Sequence, residues 1–411
     1  MPAIQKIMTR TAALFLYALS YFPGALTQAA DWPNFRGSGY DGFSPEKLLN
    51  KDWKTKPPKE LWRIALGDKG YAGPSIAAGK LFIIDHAEDR DIVRAVDVKT
   101  GKNVWTYAYV DSDKDQYGFA HTTPTYDAGR LYTISREGRL HCLKADDGTL
   151  VWKRDLKSEY GGRWKGDNWG YAGSPFIDGD QLIVSPSGPG AMVAALDKNT
   201  GKEIWKGGGD ESIGYATPVK AEIAGKPQYI IFSGVSVLSL DVKSGETLWT
   251  SPWRTAYGVN AATPLVIGNN VFISSNYGVG CELLDASVIP PKELWRNKAL
   301  KAHFNSPLFF EGHLYGTGEP DDLSCIVLAS GDVKWKQKGF QKGGILGIDG
   351  MIIAIGGSDG DVVLCKMSPE GYVESGRIKP LAGQSWTAPI VAGGKLYVRN
   401  KTELICLDLN P

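Results

Sequence analysis

Neither sign of charge is in excess in this chain: 46 Lys and Arg stand against 45 Asp and Glu over 411 residues. That balance gives no electrostatic reason to expect a nucleic-acid partner or an anionic membrane surface. Cysteine is scarce and odd in number, five, with no Cys-x-x-Cys and no adjacent pair. A disulfide-stapled scaffold and the short metal and haem motifs are therefore excluded. No apolar run reaches the roughly 20 residues that a membrane-spanning helix needs. No heptad pattern marks a coiled coil, and glycine, although abundant at 50, has no triplet period. Disorder fails on the opposite ground, because 43% hydrophobic and 11% aromatic content can offset the entropy of ordering a large core.

Residues 1–30 read as a secretory signal. Lys6 and Arg10 precede an apolar run from Ala12 to Phe22, Pro23-Gly24 breaks any helix, and small residues at Ala29 and Ala30 suit cleavage. No cysteine stands there to accept a lipid. The expectation is a soluble, exported chain, periplasmic or secreted, that is not a lipoprotein and has no membrane insertion. Residues 31–58 are read as an extended lead-in, and 59–411 as one domain.

That domain is built from repeats. Trp62, Trp105, Trp152, Trp205, Trp249, Trp295 and Trp335 are spaced by 43, 47, 53, 44, 46 and 40 residues, the period of a propeller blade. A fuller signature precedes several of them, as in Ala95-Val-Asp97, Thr100-Gly101 and Trp105; Ala195-Leu-Asp197, Thr200-Gly201 and Trp205; and Ser239-Leu-Asp241, Ser244-Gly245 and Trp249. Asp and Thr or Ser can hydrogen-bond the backbone of a tight turn, glycine supplies positive φ, and the tryptophan follows on the returning strand. Between these turns recur a proline-started strand and a Gly-containing hairpin, as at Thr123-Pro124 and Ala128-Gly129-Arg130.

Each repeat thus yields four antiparallel strands, A to D, and the fold expected is an all-β, eight-bladed propeller. The seventh blade is irregular, with no proline before strand A and no tryptophan on its outer strand. The chain ends one strand short, while the strand around Trp62 is an orphan, so the N-terminal strand is expected to complete the C-terminal blade and close the ring. The seven tryptophans are read as structural, docking blade on blade. Cys142, Cys325, Cys365 and Cys406 share one repeat position with Ala95, Ala195 and Ser239, which marks them as small buried side chains.

The Ala-x-Asp-x-x-Thr-Gly-x-x-x-Trp signature resembles that of the pyrroloquinoline-quinone (PQQ) repeat family, and the likeness runs from Trp62 to Leu409. The lead-in Asp31-Trp32-Pro33-Asn34-Phe35-Arg36-Gly37 is similar to the start of exported BamB-like propellers. The resemblance implies the eight-bladed fold and two branches. One is a non-catalytic binding or scaffold propeller with an envelope-protein partner. The other is a PQQ-dependent alcohol or sugar dehydrogenase, whose members hold the quinone with adjacent cysteines, a calcium ion and an Asp base. This chain lacks the adjacent cysteines and offers no matching positions for the rest, so no catalytic or metal-binding residue is assigned and PQQ with calcium stays the alternative.

Propeller geometry places the D-to-A and B-to-C loops around one mouth of the channel. Residues just before each strand-A proline then ring that mouth: Tyr71, His121, Tyr171, Tyr215, Asn260, His303 with Asn305, and Trp386. Tyr71, His121, Tyr215 and Trp386 each stand three residues before a proline, so strand alternation aims them alike. Either these side chains stack on and hydrogen-bond a ring-shaped small molecule or glycan, or they plug the channel and satisfy one another. A carbohydrate-binding propeller is accordingly a third functional reading. The insertion carrying Arg163, Trp164 and Trp169 suits a partner contact, or a lid over the channel. The acidic stretch 85–91 is read as a solvated loop, and a monomer is expected.

Overall fold

The computed structural model describes residues 31–162, 169–212 and 214–410. The signal reading over 1–30, and Arg163 and Trp164, lie outside the described residues. Among those described, no helix is long and apolar enough to cross a membrane.

Eight four-stranded antiparallel sheets follow one another along the chain as an eight-bladed β-propeller. Blade 1 comprises Ser75–Ala77, Lys80–Ala87, Arg90–Asp97 and Asn103–Val110. The inner hairpins turn on two residues of positive φ, Ala78 (50°) with Gly79 (74°) and Ala128 (44°) with Gly129 (82°), the pairing that matches the twist of the flanking strands. The ring closes as expected. Lys59–Ala65 pairs antiparallel with Glu403–Asp408 as the outer strand of blade 8, which leaves no open edge between the first and last segments.

The repeat signature has a direct structural meaning. Asp97 Oδ1 accepts hydrogen bonds from the Lys99 and Thr100 amides and the Thr100 hydroxyl, at 3.1, 2.8 and 2.8 Å; Asp197 and Asp241 do the same in their turns. The glycine that follows lies under the tryptophan of the preceding blade. A Cβ on Gly101 would meet the Trp62 ring at 2.9 Å, and one on Gly245 the Trp205 ring at 2.3 Å. The same indoles donate to carbonyls of the next blade, Trp62 to Val98 and Trp205 to Val242. Blade 5 lacks the turn glycine, and Trp249 donates instead to Gln228 of its own blade. Opposite six of the seven tryptophans stand small residues, Ala95, Cys142, Ala195, Ser239, Cys325 and Cys406, while Trp295 faces Leu283. All five thiols are free and buried.

The lead-in does more than approach the first blade. Trp32 exchanges backbone hydrogen bonds with Ile76 of blade 1, and the Pro33 carbonyl accepts from Tyr126 of blade 2. The Tyr40 ring lies 4.5 Å from Phe176 of blade 3. Phe43–Ser44 then adds a parallel strand to Gly347–Ile348, so blade 7 has five strands. Gly347 cannot carry a side chain there, since a Cβ would strike Phe43 at 2.3 Å. Glu46 accepts from the Gly393 and Gly394 amides in the inner hairpin of blade 8. Trp53, 1% exposed, covers the outer strand of blade 7 at Gly376. The blade without its own tryptophan is thus covered by one from the lead-in.

The stretch 85–91 is the solvated loop expected of it only at its tip, 87–90. Asp85 accepts from the Gly67, Asp68 and His86 amides and pairs with Arg94, while buried His86 bonds Asp91 at 2.9 Å. Strand pairing simply continues to the loop tip, drawing Asp85 and Asp91 inside while Glu88 and Asp89 stay exposed at the tip.

Blade 5 holds a further buried carboxyl. Glu282, 4% exposed, stands across from Arg296, whose guanidinium sits instead on the Trp253 ring at 4.4 Å. Burial, and then a hydrogen bond with Glu293, push Glu282 up to about 7. Between the ordinary value of 4.5 and about 7 the folded chain keeps a proton that the unfolded chain has lost, so this group's contribution to stability disappears as pH rises through that window. Glu282→Gln is expected to remove the effect. Its Tm relative to the native protein should climb between about pH 5 and about pH 8; a constant difference in scanning calorimetry would refute the assignment.

Candidate functional site

The lead-in closes one end of the channel and leaves the other as a funnel of about 230 Å³. Trp32, Phe35, Arg36 and Gly42 form its floor. Its wall obeys one offset: Tyr71, His121, Ala172, Tyr215, Ala261, Phe304 and Trp386, each three residues before the proline that opens strand A, all line it. The geometry follows from strand alternation, since the residue two further on also reaches the wall at Gly73, Thr123, Thr217, Ser306 and Ala388.

The rings make a continuous arc. Tyr71 stacks on Trp386 at 4.8 Å and 26°, Trp386 meets Phe304 at 5.3 Å, and Phe304 meets His303 at 4.9 Å. Tyr277 follows at 5.2 Å, Tyr257 at 5.8 Å, Trp169 at 6.4 Å and Tyr215 at 5.7 Å. Tyr117 approaches Trp386 at 6.1 Å. Two of these tyrosines, Tyr257 (φ 64°) and Tyr277 (φ 56°), hold left-handed backbone that costs a bulky residue energy. Cations sit above the stack, Lys342 5.2 Å from the Trp386 centroid and Lys401 5.5 Å from that of Tyr71.

The polar groups are few and placed. Tyr71 Oη donates to Gln384, and the Tyr71 carbonyl accepts from Thr387 Oγ1 at 2.8 Å. Asn305 donates to the Lys342 and Trp386 carbonyls at 2.5 and 2.9 Å, so it braces two loops rather than offering its amide to the cavity. His303 Nδ1 accepts from Asn276 at 3.4 Å, and burial, with Lys342 nearby, pushes its imidazole down to about 4, which keeps it neutral. Burial likewise raises the Tyr215 phenol to about 12. His121 Nε2 lies 3.4 Å from Asp115, which also meets Arg136. Trp386, 7% exposed, has an indole N–H with no hydrogen-bond partner among the described residues.

Six of the eight residues expected at the mouth therefore line it. Tyr171 and Asn260 do not. Tyr171 is buried between blades 2 and 3 with its hydroxyl on the Pro186 carbonyl at 2.9 Å, and Asn260 is fully buried, donating to the Ser233 carbonyl and accepting from Ser275 Oγ, both at 2.8 Å. Both stand four residues before their proline, where strand alternation turns a side chain from the wall, although His303 at the same offset still lines it. Phe304 was legible by the strict offset of three. Tyr117, Tyr257 and Tyr277 come from loops without a repeat register and gave no such signal. Trp169 sits on the rim between Tyr215 and Tyr257.

Fold and funnel together define a repeat-built β-propeller with an aromatic mouth. The chain belongs to the PQQ-repeat, BamB-like family, the family model described as outer membrane protein assembly factor BamB matching residues 89–337. It is 23% identical over 289 residues to a tetrathionate hydrolase of Acidithiobacillus ferrooxidans, covering 66% of this chain and 54% of that one. It is 30% identical over 174 residues to the dehydrogenase subunit of a quinone alcohol dehydrogenase of Gluconacetobacter polyoxogenes, covering 40% of this chain and 23% of that one. The chain thus spans about half and about a quarter of these two relatives. The crystal structure of BamB from Moraxella catarrhalis superimposes with a TM-score of 0.63 at 16% identity, over 85% of this chain and 99% of that one.

Proposed function

We propose that this protein is an exported, monomeric, non-catalytic binding propeller that works in the cell envelope, periplasmic or secreted, and that its aromatic funnel is the binding surface. The uninterrupted arc of rings from Tyr71 to Tyr215 carries the reading. Interior packing alone does not require strained, exposed tyrosines: Tyr257 and Tyr277 are 56% and 39% exposed. Such a wall suits a ring-shaped small molecule or glycan lying against Tyr71 and Trp386, with Trp169 on the rim available to an envelope-protein partner.

The quinone dehydrogenase relative supports a second reading, in which the funnel takes PQQ. The Tyr71–Trp386 stack and the two lysines fit a flat anionic ring. The oxygen set that a calcium ion needs is not gathered, because no group of three or more His, Cys, Asp or Glu side chains comes together among the described residues. No reaction step is assigned on that basis.

One experiment separates the two. Thermal shift with a panel of sugars and with PQQ plus calcium is expected to find a ligand that raises Tm. Tyr71→Ala and Trp386→Ala should weaken that ligand about tenfold or more, the loss of one stacked ring. Equal binding by both variants would remove the funnel as the site, and PQQ-dependent dye reduction with an alcohol or sugar would replace the non-catalytic reading by the second one.

A further inference from the structure

A second cleft lies between blades 1 and 2, away from the funnel, with a volume of about 480 Å³. Strand pairing explains who faces it. In blade 2, His141 stands opposite Lys153, and Arg139 opposite Asp155. Paired residues share a face, as do residues two apart, so all four side chains project from blade 2 on one side. That side meets blade 1: the His141 ring lies 4.2 Å from Tyr109 and 5.4 Å from Tyr107.

The acids of this cleft are already engaged. Asp155 caps the short helix Leu156–Tyr160 by accepting from the Ser158 amide at 3.0 Å. Glu159 accepts from the Asp155 amide at 3.0 Å and pairs with Arg154, whose guanidinium also reaches the Gly201 carbonyl. The basic groups are less committed. Lys153 is exposed, and its ammonium makes no ion pair or hydrogen bond among the described residues. Arg139 has only distant acids: its buried Nε faces Asp111 Oδ2 at 3.6 Å, beyond hydrogen-bond distance, and Nη1 lies 3.9 Å from Asp155. His141 is 3% exposed, and its Nδ1 has no hydrogen-bond partner.

A buried imidazole nitrogen with no hydrogen-bond partner and a buried guanidinium N–H whose nearest carboxylate is 3.6 Å away, beside an exposed lysine, ask for an oxygen-rich anion. We infer that this cleft is an oxyanion site that takes the phosphate group of a small phosphate ester, held by Lys153, Arg139 and His141, with the body of the ester along Tyr109 and Val110. The cleft is larger than a phosphate ion, which is why an ester is favoured over the free anion. Burial followed by Lys153 and Arg139 pushes His141 down to about 4, which places both cations within electrostatic reach of the ring; a bound anion would offset them.

The test uses the whole exported chain at constant ionic strength, because phosphate and sulfate stabilise proteins non-specifically by exclusion. Inorganic phosphate, a hexose phosphate, sulfate and acetate are titrated while the His141 imidazole resonances and Tm are followed. The hexose phosphate is expected to move the His141 signals saturably and to bind more tightly than inorganic phosphate. Lys153→Ala should weaken it at least about tenfold, as the loss of a charged hydrogen bond does, and Lys153→Arg should restore much of it. Lys153 is exposed, so neither variant endangers the fold. Stronger binding of inorganic phosphate or sulfate would overturn the ester assignment. A His141 spectrum unmoved by any anion, or an equal response from Lys153→Ala, would overturn the site.

Discussion

Arg399→Ala is expected to destabilise the protein by about 3–5 kcal/mol, the cost of stranding one member of a buried ion pair, and to disorganise the funnel wall at Tyr71. Arg399 is 1% exposed and its partner Asp68 fully buried. Its guanidinium reaches Asp68 at 2.9 and 3.2 Å, and the Gly70 and Ala72 carbonyls each at 2.8 Å, while Nε donates to the Asn400 carbonyl at 3.0 Å. Asp68, Gly70 and Ala72 flank Tyr71 in the loop that leads from the ring-closing strand into blade 1. One side chain of the last blade thus fixes the loop that carries the first ring of the arc. Burial pushes the Asp68 carboxyl up even with Arg399 beside it, so without the guanidinium the acid would take up a proton or draw in water.

The double variant Asp68→Asn with Arg399→Met should lose less than Arg399→Ala alone, since replacing both partners removes the unpaired charge. Urea unfolding followed by tryptophan fluorescence measures both. A loss under about 1 kcal/mol for Arg399→Ala, the value of an exposed pair, would show that the network is not what fixes this loop. If stability falls but funnel-ligand affinity is unchanged, Tyr71 is positioned by other contacts.

The propeller was legible because its cause is periodic. Most blades dock by the same device, a tryptophan over the next blade's turn glycine with a small residue across the strand, and such a device must repeat at the blade period. The closing strand was legible as an unpaired Trp62 segment matched by a missing fourth strand. Most of the funnel wall was legible for the same reason, the recurrent proline acting as a ruler at which Tyr71, His121, Tyr215 and Trp386 share one offset. What could not be read comes from residues outside the repeat. Tyr171 and Asn260 fall one residue off the offset, where a shift of one turns a side chain to the other side of a strand, while His303 at that same shift still reaches the wall. Lys342 sits before a strand A without a proline, and Tyr257 and Tyr277 owe their places to loop conformations with positive φ. The lead-in has no repeat partner at all, and its aromatics, Trp32, Tyr40, Phe43 and Trp53, carry no pattern that states which blades they meet.

Arg36 holds that lead-in in place, and Arg36→Ala is expected to release residues 31–44 from the channel and to cost about 3 kcal/mol, since one buried and two partly buried carbonyls lose their charged donor. The guanidinium donates to the Tyr40, Asp41 and Pro307 carbonyls at 3.1, 2.6 and 3.0 Å. The first two close the turn of the lead-in on itself, and the third ties it to blade 6. Burial lowers this guanidinium to about 10, so it stays charged at neutral pH and its bonds stay charge-assisted. Arg36 already has a φ of 66°, a conformation that alanine tolerates no better, so the loss reports the guanidinium and not a relief of backbone strain. The blades themselves should persist, because the closing pair of Lys59–Ala65 with Glu403–Asp408 does not involve Arg36. The expected signature is therefore local: faster proteolytic cleavage and amide exchange within 31–44, little change in the outer strands, and weaker binding of any funnel ligand as the floor made by Trp32, Phe35 and Arg36 opens. Protection of 31–44 equal to that of the native chain in exchange mass spectrometry would mean that Trp32 and the Phe43–Ser44 pairing suffice, and that the buried charge is not what closes the channel.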